Sequence, residues 1–393
     1  MLALGLLLYA VASCGKESLS SREEKIPLCC TVSSADPVTK GVDSGVTTTS
    51  LQASGAGFGL FAWRTDAGSY FNGDQLYLDN EHFIYDDSEG VFRASSPVFW
   101  PLGSWLSFFA YAPYTADLSS APLEYPSSDY AGGLPRFTYT PAANPAEQMD
   151  LVISAPVLDR SVSEGTVPLT FYHPLTKVSF QARWTSSDPE KIDKMIECMY
   201  VIRIKSITLN NILGENSLTY TRNGFNWDAP TGAALASLAT ASYTLSMANG
   251  CLATPDMPDT EVPMGSSYGS GFALDPESVL YLLPQALTPG ASLDVVYGLY
   301  GQNGLQSGDD IAYSVAIGNL PTYVWPAGSE LCYRLSIDIA GVVIADPVFC
   351  FIGNAGSFLT PGTVVTDGSN AGSFLTTTTV APAGSNAGSF TAQ

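Results

Sequence analysis

Apolar and polar residues alternate along short stretches of this chain, and turn residues separate these stretches, as is typical of half-buried β-strands. In residues 167–171 the apolar side chains occupy the odd positions. Beyond Pro174 they occupy even positions, beginning with Val178, which predicts two strands with a bulge or turn at 174–176. Because His173 lies on the apolar face, we predict a buried histidine that is satisfied by a hydrogen bond.

Further strands are predicted in both halves of the chain. The clearest are residues 58–63, 106–111, 201–209, 293–299 and 333–339. The first half shows no sustained helical periodicity, and the second half has one candidate short helix at 188–199. Short strands between Gly- and Pro-rich turns predict an all-β fold of the sandwich or barrel type.

A polar run at residues 155–166 marks the predicted boundary between two β-domains. The predicted segments are a signal peptide (1–13), a leader (14–53), an N-terminal β-sandwich (54–157), a C-terminal β-sandwich (165–350) and a tail (351–393). The leader contains one apolar island, IPLCCTV, and is either a flexible tether or a strand that can be replaced. In the tail the motif NAGSF recurs every 16 residues. Three alternatives are open for this low-complexity tail: it is disordered, it stacks as a small solenoid, or it adds strands to another sheet.

The N-terminus resembles the signal sequence of a bacterial lipoprotein. An apolar run at residues 2–13 has the length of a signal h-region and is too short to span a bilayer. It ends in Val-Ala-Ser before Cys14, which resembles a lipobox, although no basic residue precedes that cysteine. We therefore predict lipidation of Cys14, which would anchor the precursor to the outer membrane. The alternative is a buried free cysteine in an ordinary first strand.

The composition favours an extracellular β-protein. Of the 393 residues 46% are apolar, and 37 acidic residues outnumber 16 basic ones, for a net charge of -21. This balance argues against nucleic acid as a partner, because phosphate binding depends on clustered cations. Beyond Cys14 the chain has an even number of cysteines: Cys29, Cys30, Cys198, Cys251, Cys332 and Cys350. In a compartment that permits disulfides, these thiols either pair or remain free.

No residue pattern predicts an enzyme. The two histidines, His82 and His173, lack a neighbouring nucleophile motif, and the GxSxG match at 265–269 falls in a Gly/Ser-rich stretch without a strand-turn-helix context. We predict no catalytic residue, no cofactor and no metal site. A calcium site is the alternative to a solvated acidic loop for Asp74, Asp79, Asn80, Glu81, Asp86, Asp87 and Glu89.

Several blocks occur in an order that resembles the fimbrillin-like pilins, which are subunits of type V pili in Gram-negative anaerobes. Across residues 58–339 the blocks are FGLFAW, VFWPLGSWLSFFAYAPY, QMDLVISA, VPLTFYHPLTKVSF, LYLLPQALTPGASLDVVY and WPAGSELCYRLSI. Their most specific features are Trp100-Pro101, Gln148-x-Asp150, Phe171-x-His173 and Leu283-Pro284-Gln285. Each motif is weak alone, whereas the ordered set is specific.

The resemblance implies two tandem transthyretin-like β-sandwich domains, export as a lipoprotein and proteolytic removal of the leader after a basic residue. Among Lys16, Arg22, Lys25 and Lys40 we predict Lys40, because it lies closest to the globular region and Gly41 follows it. The groove left by the leader would then accept a strand from a neighbouring pilin subunit.

The implied function is that of a structural pilus subunit at the cell surface, which acts through polymerisation and adhesion to a host or bacterial surface ligand. The alternative is a monomeric surface lipoprotein that binds glycan or host protein through its Tyr- and Trp-bearing loops.

Overall fold

The computed structural model describes residues 25–34, 46–65, 75–116, 123–124, 136–185, 201–228, 240–255, 279–301, 305–320, 324–338 and 341–351. Within these ranges the chain is almost entirely β-structure, which confirms the all-β prediction. One short α-helix, α1 (Thr48–Leu51), and two 3-10 turns, Pro145–Glu147 and Val162–Glu164, are its helical parts. The helix predicted at 188–199 and the repeats of the tail lie outside the described residues. No described helix has the length and apolar character needed to cross a bilayer.

The strands follow one another closely along the described chain. They are β1 (Cys29–Ser34), β2 (Phe58–Thr65), β3 (Leu76–Asp86), β4 (Val91–Ala94), β5 (Trp105–Ala112), β6 (Leu123–Glu124), β7 (Arg136–Tyr139), β8 (Val152–Ser154), β9 (Val157–Arg160), β10 (Val167–Tyr172), β11 (Thr176–Thr185), β12 (Val201–Leu213), β13 (Asn216–Thr221), β14 (Gly224–Trp227), β15 (Thr240–Pro255), β16 (Leu280–Leu282), β17 (Gln285–Ala286), β18 (Ser292–Tyr300), β19 (Ile311–Ala316), β20 (Val324–Trp325), β21 (Ser329–Asp338) and β22 (Gly341–Phe351).

The first sheet closes into a ring of hydrogen-bonded strands. Its order is β2-β3-β4-β1-β10-β8-β5, and β5 pairs back with β2. The edge of β5 that pairs with β8 also pairs with β9. All neighbours are antiparallel except β1 and β10, which are parallel. A closed ring leaves no strand edge unpaired. Every strand of the ring, including the one from the leader, is therefore needed to keep the sheet closed.

The second sheet has the order β19-β18-β12-β15-β11-β21-β22, and β16 also joins β11. Val178, Phe180 and Ala182 of β11 are buried in its core. The change of parity predicted around Pro174 is thus confirmed, since the odd positions of β10 and the even positions of β11 face the interior. Pro174 lies between the two strands because it donates no ladder hydrogen bond.

A third, smaller sheet joins the two halves of the chain. Its order is β14-β13-β7-β6, and β7 from the first half pairs with β13 from the second, with Tyr139 opposite Asn216. An aromatic core lies against it, with side chains from both halves: Phe61, Trp63, Phe109, Tyr111, Phe137, Tyr139, Tyr172, Tyr220, Phe225, Trp227 and Tyr281. The halves therefore share buried apolar surface.

The change from the first sheet to the second lies at residues 173–175. The predicted segments place Val167–Tyr172 in the second domain, whereas its partners β1 and β8 both belong to the first sheet. Likewise β9 falls in the predicted polar boundary and yet pairs with β5. Alternation along a strand indicates which side chains are buried, but it does not indicate which sheet the strand joins.

Candidate functional site

The leader contributes a full strand to the ring. β1 lies between β4 and β10, with Cys30 opposite Phe92 on one side and opposite Val167 on the other. The parallel register with β10 continues to Ser34 opposite Phe171. Of the two alternatives predicted for the leader, a flexible tether and a strand, residues 29–34 form a strand. Their alternation lets one side of the segment enter the core, which outweighs the polar composition around it.

The β1-facing edge of β10 offers an uninterrupted set of backbone groups. The Ala155 amide donates to the Thr170 carbonyl at 2.9 Å, so the polar groups of Thr170 face β8. Because backbone groups alternate in direction along a strand, those of Leu169 and Phe171 face β1. The backbone of Pro168, like that of Thr170, faces β8. The missing N–H of the proline therefore removes no donor from the edge that faces β1.

The pairing of the leader extends beyond β1. Residues 26–28 run antiparallel to residues 98–100, with a bridge between Pro27 and Phe99. Backbone hydrogen bonds of 3.0 and 2.9 Å lie on either side of this bridge. The Lys25 ammonium lies 5.5 Å from the centre of the Phe99 ring, in a cation-π contact. The leader thus occupies one long groove that runs from 98–100 to the space between β4 and β10.

Alternate side chains of the leader fill apolar pockets of the first core. Leu28 and Cys30 are 1% and 0% exposed, and Val32 is partly buried against the same cluster. Full burial of a leucine side chain stabilises by about 1.5–3 kcal/mol. A segment that replaces β1 therefore needs apolar residues at three alternate positions in addition to a backbone ladder.

The two adjacent cysteines of the leader are free thiols. Burial raises the pKa of the Cys30 thiol well above its ordinary value. Partial burial also raises the pKa of the Cys29 thiol, against the opposite effect of the Arg93 guanidinium. A raised thiol pKa keeps the neutral form and lowers reactivity. Cys30 therefore serves as a small apolar residue of the core.

The chain downstream of Lys40 is attached through a buried carboxylate. The Val46 amide donates to Oδ2 of Asp150 at 2.7 Å, and Oδ1 of Asp150 lies 2.9 Å from Nδ1 of His173. Asp150 and His173 are 9% and 7% exposed. We assign the donor of this bond to the His173 Nδ1–H and the acceptor to the Asp150 oxygen. The prediction of a buried, hydrogen-bonded histidine is confirmed.

A capped helical turn follows Val46. The Thr47 hydroxyl accepts from the Ser50 amide at 3.1 Å, and the Thr47 amide donates to the Ser50 hydroxyl at 2.7 Å, which forms a capping box. Leu51, at the end of α1, is 4% exposed in the first core. Residues 46–51 are thus held by specific polar contacts and one apolar anchor.

Two glutamines of the motif blocks accept hydrogen bonds from backbone amides far along the chain, and the first of these bonds joins the two halves. Oε1 of Gln148 accepts from the Tyr281 amide at 2.8 Å, and Oε1 of buried Gln285 accepts from the Leu213 amide at 2.8 Å. The motifs Gln148-x-Asp150 and Leu283-Pro284-Gln285 therefore supply structural hydrogen bonds. The sequence shows these polar residues inside apolar blocks, but it contains no pattern that identifies their partners.

Of the acidic residues considered for calcium, Asp74 lies outside the described residues. Among the residues that the structure describes, no group of three or more His, Cys, Asp or Glu side chains has a metal-binding arrangement. Arg93 forms ion pairs with Asp86 and Glu89. The Ser88 hydroxyl donates to Oδ1 of Asp86 at 2.6 Å, which lowers the pKa of that carboxyl together with the Ser88 amide. The acidic turn is thus stabilised by its own hydrogen bonds and by Arg93.

The other predicted sites lie partly outside the described residues. Cys14, Lys40 and the GxSxG match at 265–269 belong to those ranges. His82 is described, and its Nε2 lies 3.0 Å from the Ala56 carbonyl while its ring stacks on Tyr114 at 3.9 Å. These contacts account for His82 as a structural residue.

Three comparisons relate this chain to fimbrial proteins. The fimbrium subunit Fim1C of Phocaeicola vulgatus is 31% identical over 147 residues, which cover 34% of this chain and 38% of that protein. The alignment therefore spans less than half of that relative. The crystal structure of a fimbrial protein from Bacteroides vulgatus matches with a TM-score of 0.56 at 18% identity, over 82% of this chain and 99% of the other. At this identity the likeness shows a shared fold.

The family comparison covers a larger part of the chain. A family model described as fimbrillin-like matches residues 45–288, which is more than half of the 393 residues. The match contains the motif blocks Gln148-x-Asp150, Phe171-x-His173 and Leu283-Pro284-Gln285. This chain belongs to the fimbrillin-like family.

Proposed function

We propose that this protein is a structural subunit of a fimbrium, that it is exported as a lipoprotein through Cys14, and that it polymerises by strand exchange after cleavage at Lys40. One observation carries the proposal. The leader strand β1 closes the ring of the first sheet, and Lys40 lies in the chain between β1 and the anchored Val46. Cleavage there would detach a structural strand without cutting the rest of the fold.

Loss of β1 would open the ring at two edges. The backbone groups of β10 that face β1, those of Leu169 and Phe171, would lose their partners, as would β4 around Phe92. The pockets of Leu28 and Cys30 would be emptied at the same time. An exposed edge with empty apolar pockets is the receptor for an added strand. The uncut leader therefore prevents premature assembly.

The position of Lys40 distinguishes it from the other basic residues of the leader. Lys16, Arg22 and Lys25 precede β1, so cleavage after any of them would leave the strand attached to the body of the protein. Cleavage after Lys40 would separate β1 from it. The new N-terminus, Gly41, would lie only a few residues ahead of the Val46 hydrogen bond to Asp150.

The chain contains a second segment with the same pattern as the leader. Residues 347–352, PVFCFI, repeat the spacing of residues 27–32, PLCCTV. Val348, Cys350 and Ile352 stand where the leader has Leu28, Cys30 and Val32, so their size and polarity are similar at all three inward positions. Most of this segment belongs to β22, the last strand in the order of the second sheet. We therefore assign the donor strand to this segment of a neighbouring subunit.

Two variants test the proposal, because Lys25 precedes β1 and Lys40 follows it. In Lys40→Gln the leader stays attached, so we expect a trypsin-like protease to produce no ladder of denaturant-resistant polymers on an unheated gel. The matched control is Lys25→Gln, which removes a basic residue upstream of β1 and should polymerise like the unaltered protein, with subunits that begin at Gly41. Polymers of Lys40→Gln, or a single monomer band from the cleaved unaltered protein, would overturn the proposal.

A further inference from the structure

Exposed apolar side chains are concentrated at one end of the first sheet. Five large apolar side chains are markedly exposed in the described part of the chain, and three of them, Ile26, Leu76 and Leu102, lie at the end where the leader begins. Their exposed fractions are 43%, 43% and 57%. Ile26 belongs to the leader, so Leu76 and Leu102 are the ones that remain after cleavage at Lys40.

Leu76 and Leu102 belong to two chain segments that meet at the half-buried Phe99. The Tyr77 hydroxyl donates to the Phe99 carbonyl, and Leu76 is the residue before Tyr77. Leu102 lies in a tight turn two residues after Trp100, where Gly103 has φ of +68°. That left-handed conformation favours glycine, and Leu102 beside it in the turn is largely exposed. We name Leu76, Phe99 and Leu102 the groove-end patch.

The direction of the exchanged strand places a second subunit at this end. β1 runs parallel to β10, and residues 26–28 pair with 98–100 beside Phe99. A donor that replaces residues 27–32 in the same direction has its preceding chain next to Phe99. That preceding chain connects residue 347 to the body of the donor subunit, so the body of that subunit stands over the patch.

We infer that the groove-end patch is a second contact between neighbouring subunits, formed against the body of the subunit that donates its strand. The inference rests on the proposed function. Large exposed apolar side chains grouped on a surface mark an interaction site, because water contact with them is unfavourable. Removal of the leader enlarges the patch, since Lys25 no longer covers the Phe99 ring. The patch therefore becomes most apolar at the same step that opens the groove.

The experiment compares cleaved Leu76→Ser/Leu102→Ser protein with unaltered protein and with Leu305→Ser. Leu305 is 68% exposed and follows β18 of the second sheet, so its change removes exposed apolar surface elsewhere. We expect the double variant to keep the unfolding midpoint of the unaltered protein and to lower the association constant for subunit addition by about tenfold or more. Leu305→Ser should leave that constant unchanged.

Two results would overturn the inference while the proposed function stands. One is equal subunit addition by the double variant and the unaltered protein, and the other is an equal loss in Leu305→Ser. If the double variant assembles normally but its uncleaved precursor binds less to vesicles of phosphatidylethanolamine and phosphatidylglycerol, the patch faces the membrane instead. Absence of polymers from cleaved unaltered protein would overturn both proposals.

Discussion

The segments on either side of Lys40 are attached to the protein in different ways. Upstream, β1 is bound by a backbone ladder and by the pockets of Leu28 and Cys30, which any strand of similar pattern would satisfy. Downstream, the Val46 amide donates to the buried carboxylate of Asp150, so this attachment depends on the side chain at position 150. Upstream of Lys40 the attachment is thus a generic one that another strand could provide, whereas downstream it depends on one specific side chain.

The largest expected effect comes from removing the downstream attachment. Asp150→Ala deprives both His173 and the Val46 amide of their acceptor, so we expect the free energy of unfolding in urea to fall by about 3 kcal/mol or more. Asp86→Ala is the control, because this carboxylate is half-exposed and accepts hydrogen bonds within its own surface turn beside Arg93, so its loss should cost much less than that of Asp150. An equal loss in the two variants would contradict the role given to Asp150.

The next effect concerns the wall of the groove. Leu169→Ala should release a cleaved, labelled leader peptide faster, because Leu169 is fully buried and stands opposite Val32 of β1. Leu293→Ala in the second core is the matched control. Each substitution should cost about 2–5 kcal/mol of stability, whereas only the first should change the rate of peptide release. Equal rates of peptide release from the Leu169→Ala and Leu293→Ala variants would contradict a specific role of Leu169 in binding the leader.

Leader binding should depend on pH through Cys30. Burial raises the pKa of this thiol above its ordinary value of 9.0, so the free peptide ionises at a lower pH than the bound one. Binding is therefore fully present below pH 9.0 and weakens above it, by up to about tenfold per pH unit. In a Cys29→Ser background, Cys30→Val should abolish this dependence when titrated by fluorescence anisotropy. The same pH profile in Cys30→Val would exclude the thiol as its source.

The smallest effect concerns the cap of α1. Thr47→Ala removes the acceptor of the Ser50 amide, so hydrogen exchange of the Leu51 amide should accelerate as expected for about 1 kcal/mol of lost local stability. Thr49→Ala changes an exposed threonine of the same turn and should leave the exchange unchanged. If neither variant alters the exchange, the capping box does not hold the downstream segment.

The sequence predicted those features that depend on the burial of single side chains. The strands around Leu106–Tyr111, the change of parity at Pro174 and the buried His173 are all present, because alternation reports which side chains leave water. The fimbrillin-like family was predicted as well, from the order of its motif blocks.

The sequence did not predict the partners of these elements. β1 pairs with β10 across more than a hundred residues of chain, and a ladder formed by backbone groups leaves no trace in residue type. The bond from Val46 to Asp150 is equally hidden, since a single carboxylate acceptor produces no periodic pattern. Composition alone left the leader open between a flexible tether and a strand, although its inward positions have the apolar residues that a core requires.

The replacement of β1 is tested most directly on purified polymers. Terminal sequencing and intact-mass measurement of their subunits determine whether residues 29–34 are still present in the assembled form. We predict subunits that begin at Gly41 and polymers free of the leader peptide. Polymers whose subunits retain residues 29–34, attached or as a bound peptide, would contradict strand exchange at this groove.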